Sequence, residues 1–122
     1  MKVLLIDDNE EITELLETTL TAKGYSVKVS NDGREGLELI KKKESDLILL
    51  DLAMPNFSGQ DLIKELLKDG PIDDYNIYLF TASAVSDKEI GDLIKMGVTG
   101  CLRKPVRLNE ILDMLQKYQS QN

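Results

Sequence analysis

The sequence predicts a single α/β domain, a doubly wound parallel sheet of five strands with helices on both faces. Five short apolar runs alternate with five amphipathic stretches along the whole chain, an alternation typical of βα units. Residues 47–50 are apolar without alternation, as in a strand buried on both faces. The 122 residues contain no linker, repeat or low-complexity segment, which suits one domain with one core.

The elements can be placed in chain order. Strands are predicted at residues 3–6, 26–30, 47–50, 77–80 and 100–103, with the polar second strand at an edge. The first helix is predicted between the N-cap Asn9 and Gly24, and the second after a turn at residues 31–33. The third is predicted to begin at Ser58 or Gly59, and the fourth to cover residues 87–96. The fifth is predicted from residue 108, with a fraying tail at residues 119–122. The helical residues expected to face the core are Ile12, Leu15, Leu16, Leu20, Gly36, Leu37, Ile40, Leu62, Ile63, Leu66, Leu67, Ile90, Leu93, Ile94, Leu108, Ile111, Leu112 and Leu115.

Composition excludes several classes of protein. The net charge of −7, from 15 basic and 22 acidic residues, disfavours direct binding to nucleic acid. The absence of histidine excludes histidine triads and histidine metal sites. A single cysteine, Cys101, excludes an internal disulfide and leads us to expect a cytoplasmic protein. Asp7 comes too early for a signal peptide, and no apolar run approaches the roughly 20 residues that cross a bilayer.

Polar side chains follow four of the five predicted strands. Asp7 and Asp8 follow the first strand, Asp51 the third, Thr81 the fourth and Lys104 the fifth. Of the common strand orders, 2-1-3-4-5 fits best, and it makes the first and third strands neighbours about 4.8 Å apart. The three carboxylates would then lie within roughly 4–8 Å of one another, where repulsion opposes full ionisation. A hard cation, Mg²⁺ or else Mn²⁺, would relieve that repulsion.

These groups together suit phosphoryl transfer, which needs a nucleophile, charge neutralisation and hydrogen-bond donors in fixed positions. Each residue alone has an ordinary explanation. Asp7 and Asp8 can cap the first helix, Asp51 and Thr81 can be plain strand-end residues, and Lys104 can be a surface lysine. Their position at the same end of one sheet favours a shared site.

The motifs at the strand ends resemble those of receiver domains in bacterial and archaeal two-component response regulators, of the stand-alone chemotaxis type. The resemblance covers about residues 2–118 and implies one receiver domain over residues 1–122 with a flavodoxin-like fold. This family is itself a known example of the 2-1-3-4-5 order, so the strand order is not independent of the resemblance. The motifs that carry it are Asp7-Asp8, Asp51 with Met54-Pro55 and Gly59, Thr81-Ala82, and Lys104-Pro105.

The resemblance implies a phosphoacceptor and a set of metal ligands. Asp51 is implied as the residue that accepts the phosphoryl group. Asp8 and Asp51 are implied as direct ligands of Mg²⁺, Asp7 as a ligand through water, and the backbone carbonyl of Ala53 as a further ligand.

The resemblance also implies how the phosphoryl group is held. Thr81, after moving, and Lys104 are implied to bond phosphoryl oxygens. The peptide bond between Lys104 and Pro105 is implied to be cis, which the base rate of about 5–6% for such bonds would not suggest.

Two features depart from the family's pattern. Cys101 stands three residues before the lysine, where the family usually has an aromatic side chain that turns inward. Coupling from the phosphate to the surface is therefore expected to be weaker or differently routed, with Cys101 a small core thiol. Ala53 and Ser83, two residues beyond Asp51 and Thr81, are small and are expected to leave the phosphoryl group open to water or a partner.

These observations predict a phosphorylation-dependent switch that receives its phosphoryl group from a histidine kinase or a phosphotransfer protein, and that only assists its own phosphorylation and dephosphorylation. No output domain follows, so we expect docking of a partner at the face formed by residues 87–118, near Lys95, Arg103 and Arg107. Three alternatives remain open. They are a Mg²⁺-dependent phosphatase or phosphotransferase with an aspartate nucleophile, which commonly carries a second acid where this chain has Ala53; a flavodoxin-like cofactor module; and a phosphate relay.

Overall fold

The computed structural model describes residues 1–81 and 85–121, and it alternates strands and helices as the sequence predicts. The strands are β1 (Lys2–Ile6), β2 (Ser26–Ser30), β3 (Leu47–Asp51), β4 (Ile77–Thr81) and β5 (Gly100–Arg103). The helices are α1 (Glu10–Ala22), α2 (Gly33–Lys41), α3 (Gly59–Lys68), α4 (Asp87–Lys95) and α5 (Leu108–Gln121).

The sheet has the strand order β2-β1-β3-β4-β5, and all of its strand pairs are parallel, which confirms the predicted fold. β3 lies at the centre, and its five residues are all buried. Ile6 pairs with Leu50, Asp51 with Phe80, and Thr81 with Arg103. Because the strands are parallel and nearly in step, their carboxyl ends meet at one edge of the sheet.

The helices cover both faces of the sheet and create two layers of core. α2, α3 and α4 pack on one face through residues such as Leu37, Ile63 and Leu93. α1 and α5 pack on the other face through residues such as Leu20 and Leu115. No helix in the described part of the chain combines the length and the apolar character that a membrane span requires.

Local sequence signals account for the helix ends. The side chains of Asn9, Asp32, Ser58 and Ser86 each accept a hydrogen bond from a backbone N–H in the first turn of the helix that follows. Gly24 ends the α1 region with φ of +97°, a conformation that side chains with a Cβ rarely adopt. Caps of this kind start α1 to α4 after loops from the carboxyl edge of the sheet.

The structure corrects several sequence expectations. Leu15 is 63% exposed and Ile94 is 45% exposed, so neither faces the core as predicted. Each adjoins a buried leucine, Leu16 or Leu93, and one residue turns the helix by about 100°, which carries the neighbour out of the packed face. α5 continues to Gln121, so the predicted fraying tail is helical up to that residue, and Asn122 lies outside the described residues. β3 and β4 each extend one residue further than predicted, and α4 ends one residue earlier.

Candidate functional site

The buried carboxylates Asp51 and Asp7 meet at the carboxyl edge of the sheet. Asp51 is the last residue of β3, and Asp7 directly follows β1 on the neighbouring strand. Asp51 is 2% exposed and Asp7 is 5% exposed, whereas Asp8 is exposed. One carboxylate oxygen from each of the three residues lies within 4.8 Å of the others.

Hydrogen bonds fix the two buried carboxylates. Asp7 Oδ1 accepts a bond of 2.9 Å from the backbone N–H of Asn9, and Asp51 Oδ1 accepts one of 3.2 Å from the backbone N–H of Ala53. These local bonds orient each carboxylate toward the other instead of toward solvent.

Sequence reasoning missed a side-chain network that holds the backbone of Asp7. Asn31 Nδ2 donates to the backbone carbonyl of Asp7 at 2.8 Å and to Thr13 Oγ1 at 2.9 Å. The sequence indicates only a turn at Asn31. Thr13 is a buried polar residue on the inner face of α1. A polar residue at a core-facing helix position is the signal that could have revealed Thr13.

The ammonium of Lys104 bridges the buried carboxylates. Lys104 Nζ lies 3.2 Å from Asp7 Oδ2 and 3.5 Å from Asp51 Oδ1. It also lies 5.0 Å from the centre of the Phe80 ring, within reach of a cation–π interaction. The peptide bond from Lys104 to Pro105 is cis, which confirms that sequence expectation.

The electrostatics of the site act mainly on Asp51. Burial, followed by the negative charge of Asp7, raises the pKa of the Asp51 carboxyl from its usual 3.8 to about 6. The Lys104 ammonium and the Ala53 N–H act in the opposite direction and lower this pKa, but they do not offset the burial. The ionised form of Asp51 is therefore disfavoured at this site, mainly by burial and then by the charge of Asp7.

Thr81 carries a buried hydroxyl that lacks a hydrogen-bond partner among the described residues. Thr81 has no exposed surface, and its backbone carbonyl accepts a bond of 2.6 Å from the N–H of Lys104. A buried polar atom without a partner costs about 1–3 kcal/mol, so a ligand oxygen that reached this hydroxyl would recover free energy. Ala82 and Ser83, which the sequence analysis also singled out, lie outside the described residues.

The donor set fits a hard divalent cation. Asp7, Asp8 and Asp51 offer carboxylate oxygens only, with no sulfur or imidazole ligand among them. Mg²⁺ takes few protein ligands and keeps several waters, which agrees with one exposed carboxylate, Asp8, at the rim. The raised pKa of Asp51 indicates that added positive charge would be favourable here. A buried carboxylate, a metal site, an ammonium and an unpaired hydroxyl can together bind and transfer a phosphoryl group.

The chain is similar to known proteins over nearly its whole length. A family model described as the response regulator receiver domain matches residues 3–116. The response regulator MprA of Mycobacterium leprae is 35% identical over 113 residues, which cover 92% of this chain and 48% of that protein. The probable transcriptional regulator ycf27 of Porphyridium aerugineum is 35% identical over 129 residues, which cover 99% of this chain and 52% of that protein. The chain thus spans about half the length of the curated relatives it matches.

Solved structures match the fold closely. The chemotaxis protein CheY4 of Vibrio cholerae superposes with a TM-score of 0.82 at 30% identity, covering 96% of this chain and 97% of that one. The receiver domain of the Francisella response regulator 1452 superposes with a TM-score of 0.84 at 28% identity, covering 99% and 98% of the two chains.

Proposed function

The chain belongs to the response regulator receiver domain family of two-component signal transduction, and from this premise we propose that it is a phosphorylation-dependent switch with Asp51 as its phosphoacceptor. We propose further that residues 1–122 act as one receiver domain. The observation that carries the proposal is the Lys104 ammonium between two buried carboxylates, 3.5 Å from Asp51, with the unpaired hydroxyl of Thr81 at the end of the strand next to that of Asp51. A structural salt bridge alone would not require the second carboxylate or the hydroxyl.

The proposed reaction is transfer of a phosphoryl group to the Asp51 carboxylate. A carboxylate oxygen attacks phosphorus of a phosphohistidine, the phosphorus–nitrogen bond breaks, and the imidazole leaves with its electron pair and takes up a proton. An acyl phosphate forms on Asp51. In this proposal Lys104 neutralises the charge that develops on one phosphoryl oxygen, and Thr81 donates its hydroxyl to another.

Asp7, Asp8, Asp51 and the carbonyl of Ala53 would hold the metal, with Mg²⁺ preferred and Mn²⁺ acceptable for the same oxygen donors. When bound, the ion supplies positive charge to the equatorial oxygens of the phosphoryl group. Asp7 also orients Lys104 through their contact of 3.2 Å, so its contribution does not end with the metal.

Acyl phosphates hydrolyse, so the modification is reversible without a separate catalytic apparatus. Water attacks phosphorus, the bond between phosphorus and the Asp51 carboxylate oxygen breaks, and the carboxylate is restored as inorganic phosphate is released. We propose that the chain assists both half-reactions on itself and does not turn over an external substrate. The methyl group of Ala53 leaves room beside the acceptor, which favours access of water or of a partner protein.

We propose that the phosphodonor docks on an apolar groove between α1 and α5. The groove has a volume of about 520 Å³ and contains the exposed Leu15 together with Ile12, Pro105 and Val106. Lys104 lines the same groove, so a donor seated there has its phosphohistidine beside the phosphoacceptor. For the output partner we propose the face formed by residues 87–118.

Phosphorylation of Asp51 can be tested with acetyl phosphate, a small acyl-phosphate donor, in the presence of Mg²⁺. Wild type is expected to take up one phosphoryl group that hydroxylamine removes, as an acyl phosphate requires, detected by intact-mass spectrometry. Asp51→Asn is expected to remain unlabelled because its amide is not a nucleophile. Asp113→Asn, an exposed change on α5, is the matched control and is expected to label like wild type. Labelling of Asp51→Asn at the wild-type yield would show that another residue is the acceptor.

The groove can be tested with a histidine kinase that labels wild type in vitro. Leu15→Glu is expected to slow transfer from the kinase about tenfold or more, because a charge replaces an apolar contact at the centre of the groove. Its labelling by acetyl phosphate is expected to stay unchanged, since that donor needs no docking surface. Ile94→Glu, the same change at an exposed position on α4, is the control. Equal slowing in both variants would place the donor elsewhere.

A further inference from the structure

The last residue of β5, Arg103, contacts the chain where α4 begins. Its Nη1 donates a hydrogen bond of 2.8 Å to the backbone carbonyl of Val85, and its Nη2 forms an ion pair with the carboxylate of Asp87. Asp87 is the first residue of α4, and Val85 lies two residues before it. One guanidinium therefore ties the entry of α4 to the end of β5.

The next residue, Lys104, contacts the end of β4 through its backbone. Its backbone N–H donates to the carbonyl of Thr81, and Thr81 lies opposite Arg103 in the register of the two strands. Two successive residues thus connect β5 to the end of β4 and to the entry of α4. The side chain of the second of them, Lys104, also contacts Asp51.

The hydroxyl of Thr81 would gain a hydrogen-bond partner when Asp51 is phosphorylated. It is fully buried and without a hydrogen bond among the described residues, while Asp51 Oδ1 is occupied by Ala53 and Lys104. A phosphoryl oxygen on Asp51 would offer this hydroxyl an acceptor. Arg103 makes its contacts with Val85 and Asp87 in the unphosphorylated chain. A movement of the end of β4 that also displaced the start of α4 relative to β5 would break these contacts.

We propose that Arg103 is a positioning residue that stabilises the unphosphorylated conformation and opposes engagement of the Thr81 hydroxyl with a phosphoryl group on Asp51. This inference rests on the proposed function of Asp51. It also supplies a connection from Thr81 to β5 that requires no aromatic side chain at Cys101. An arginine suits the role because its planar fork binds a carbonyl and a carboxylate at once, which a lysine ammonium does with less geometric definition.

The contacts of Arg103 with Asp87 and Val85 are unequal. The Asp87 side chain is 99% exposed, so the ion pair is strongly screened, whereas the bond to the Val85 carbonyl is partly buried. Loss of both contacts is expected to raise the population of the engaged conformation about three- to tenfold. A ligand that binds only this conformation gains the same factor in apparent affinity while that conformation remains the minor one.

Beryllofluoride, which binds carboxylates as a phosphoryl mimic, measures this population directly in a calorimetric titration with Mg²⁺ present. Arg103→Ala is expected to bind it three- to tenfold more tightly than wild type. Arg103→Lys is expected to lie between the two, because it can retain the Asp87 pair but not the two-point geometry. In a Thr81→Ala background, Arg103→Ala is expected to change the affinity no further. Lys64→Ala, which removes an exposed cation on α3 outside the proposed partner face, is the control and is expected to match wild type.

Each other outcome has a definite meaning. Equal or weaker binding by Arg103→Ala would overturn the inference, and so would a gain that persists without the Thr81 hydroxyl. Urea unfolding of each variant separates these results from a loss of folded protein. Wild type that neither binds beryllofluoride nor is labelled by acetyl phosphate would instead overturn the proposed function, so the two failures can be told apart.

Discussion

At neutral pH and without divalent ions, Asp51→Asn is expected to be more stable than wild type, with a free energy of unfolding greater by about 1–3 kcal/mol. Wild type must bury a carboxylate at a position that is 2% exposed and faces a second carboxylate, Asp7. The asparagine amide has nearly the same shape and carries no charge. The loss of attraction to Lys104 is already included, because that attraction lowers the same pKa that burial raises.

The sign of the pH dependence follows from the raised pKa of Asp51. Well below its usual pKa of 3.8 the carboxyl is protonated in both the folded and the unfolded chain, so it contributes no destabilisation. Between its usual pKa of 3.8 and its folded value of about 6, the unfolded chain releases the proton more readily, and stability falls as pH rises. Above about 6 the loss is complete. The difference between wild type and Asp51→Asn should therefore grow from near zero in acid to a plateau at neutral pH.

Urea unfolding of both proteins across this pH range measures the effect. Asp113→Asn, an exposed change on α5, is the control and is expected to shift the free energy of unfolding by no more than about 0.5 kcal/mol. A lower stability of Asp51→Asn than of wild type at neutral pH would contradict this prediction. It would show that the attraction of the Asp51 carboxylate to Lys104 exceeds the cost of its burial and its repulsion from Asp7, so that the site does not favour an added cation.

Addition of Mg²⁺ is expected to remove this advantage. A ligand that binds only the folded chain stabilises it by about 2.7 kcal/mol at a hundred times its dissociation constant. Wild type should receive this gain, whereas Asp51→Asn should receive much less because it has lost a charged ligand. Chelation should restore the original order, which shows that the effect belongs to the ion.

Sequence reasoning could place the site because its position depends on strand ends and strand order. Asp7, Asp51, Thr81 and Lys104 each follow an apolar run, and a parallel sheet brings the ends of such runs together. The contact of Lys104 with Asp51 was therefore foreseeable to within the length of a lysine side chain.

Features that depend on the third dimension were not foreseeable in the same way. The contact of Asn31 with Asp7 joins residues 24 apart through the exact angle of a turn, and no periodicity reports such an angle. Leu15 fits an apolar pattern on α1, yet its exposure depends on how α5 packs beside that helix. The contacts of Arg103 depend on side-chain conformation at a strand end, so the sequence indicated only a basic residue at the expected partner face.

Gly59→Ala is expected to lower the free energy of unfolding by about 3 kcal/mol, because a single methyl group has no space at the start of α3. A Cβ at this position would lie 2.7 Å from the backbone oxygen of Asp51 and 2.8 Å from the Cα of Leu52. Both are main-chain atoms of the central strand or its immediate continuation and cannot rotate away. The hydrogen bond of 3.0 Å from the Gly59 N–H to the Leu52 carbonyl would be strained by the same displacement.

The chain contains its own control for this substitution. Gly91→Ala makes the same chemical change inside α4, where a Cβ would meet nothing within 4 Å. It is expected to stabilise the protein by about 0.5–1 kcal/mol, because alanine is the better helix former. Urea midpoints that move in opposite directions for the two variants would show that the cost at Gly59 comes from the close approach of α3 to β3. The close approach of α3 to β3 also positions the Asp51 backbone. Gly59→Ala should therefore weaken Mg²⁺ binding, and Gly91→Ala should not. Equal Mg²⁺ affinity in both variants would show that helix packing at Gly59 does not set the geometry of the site.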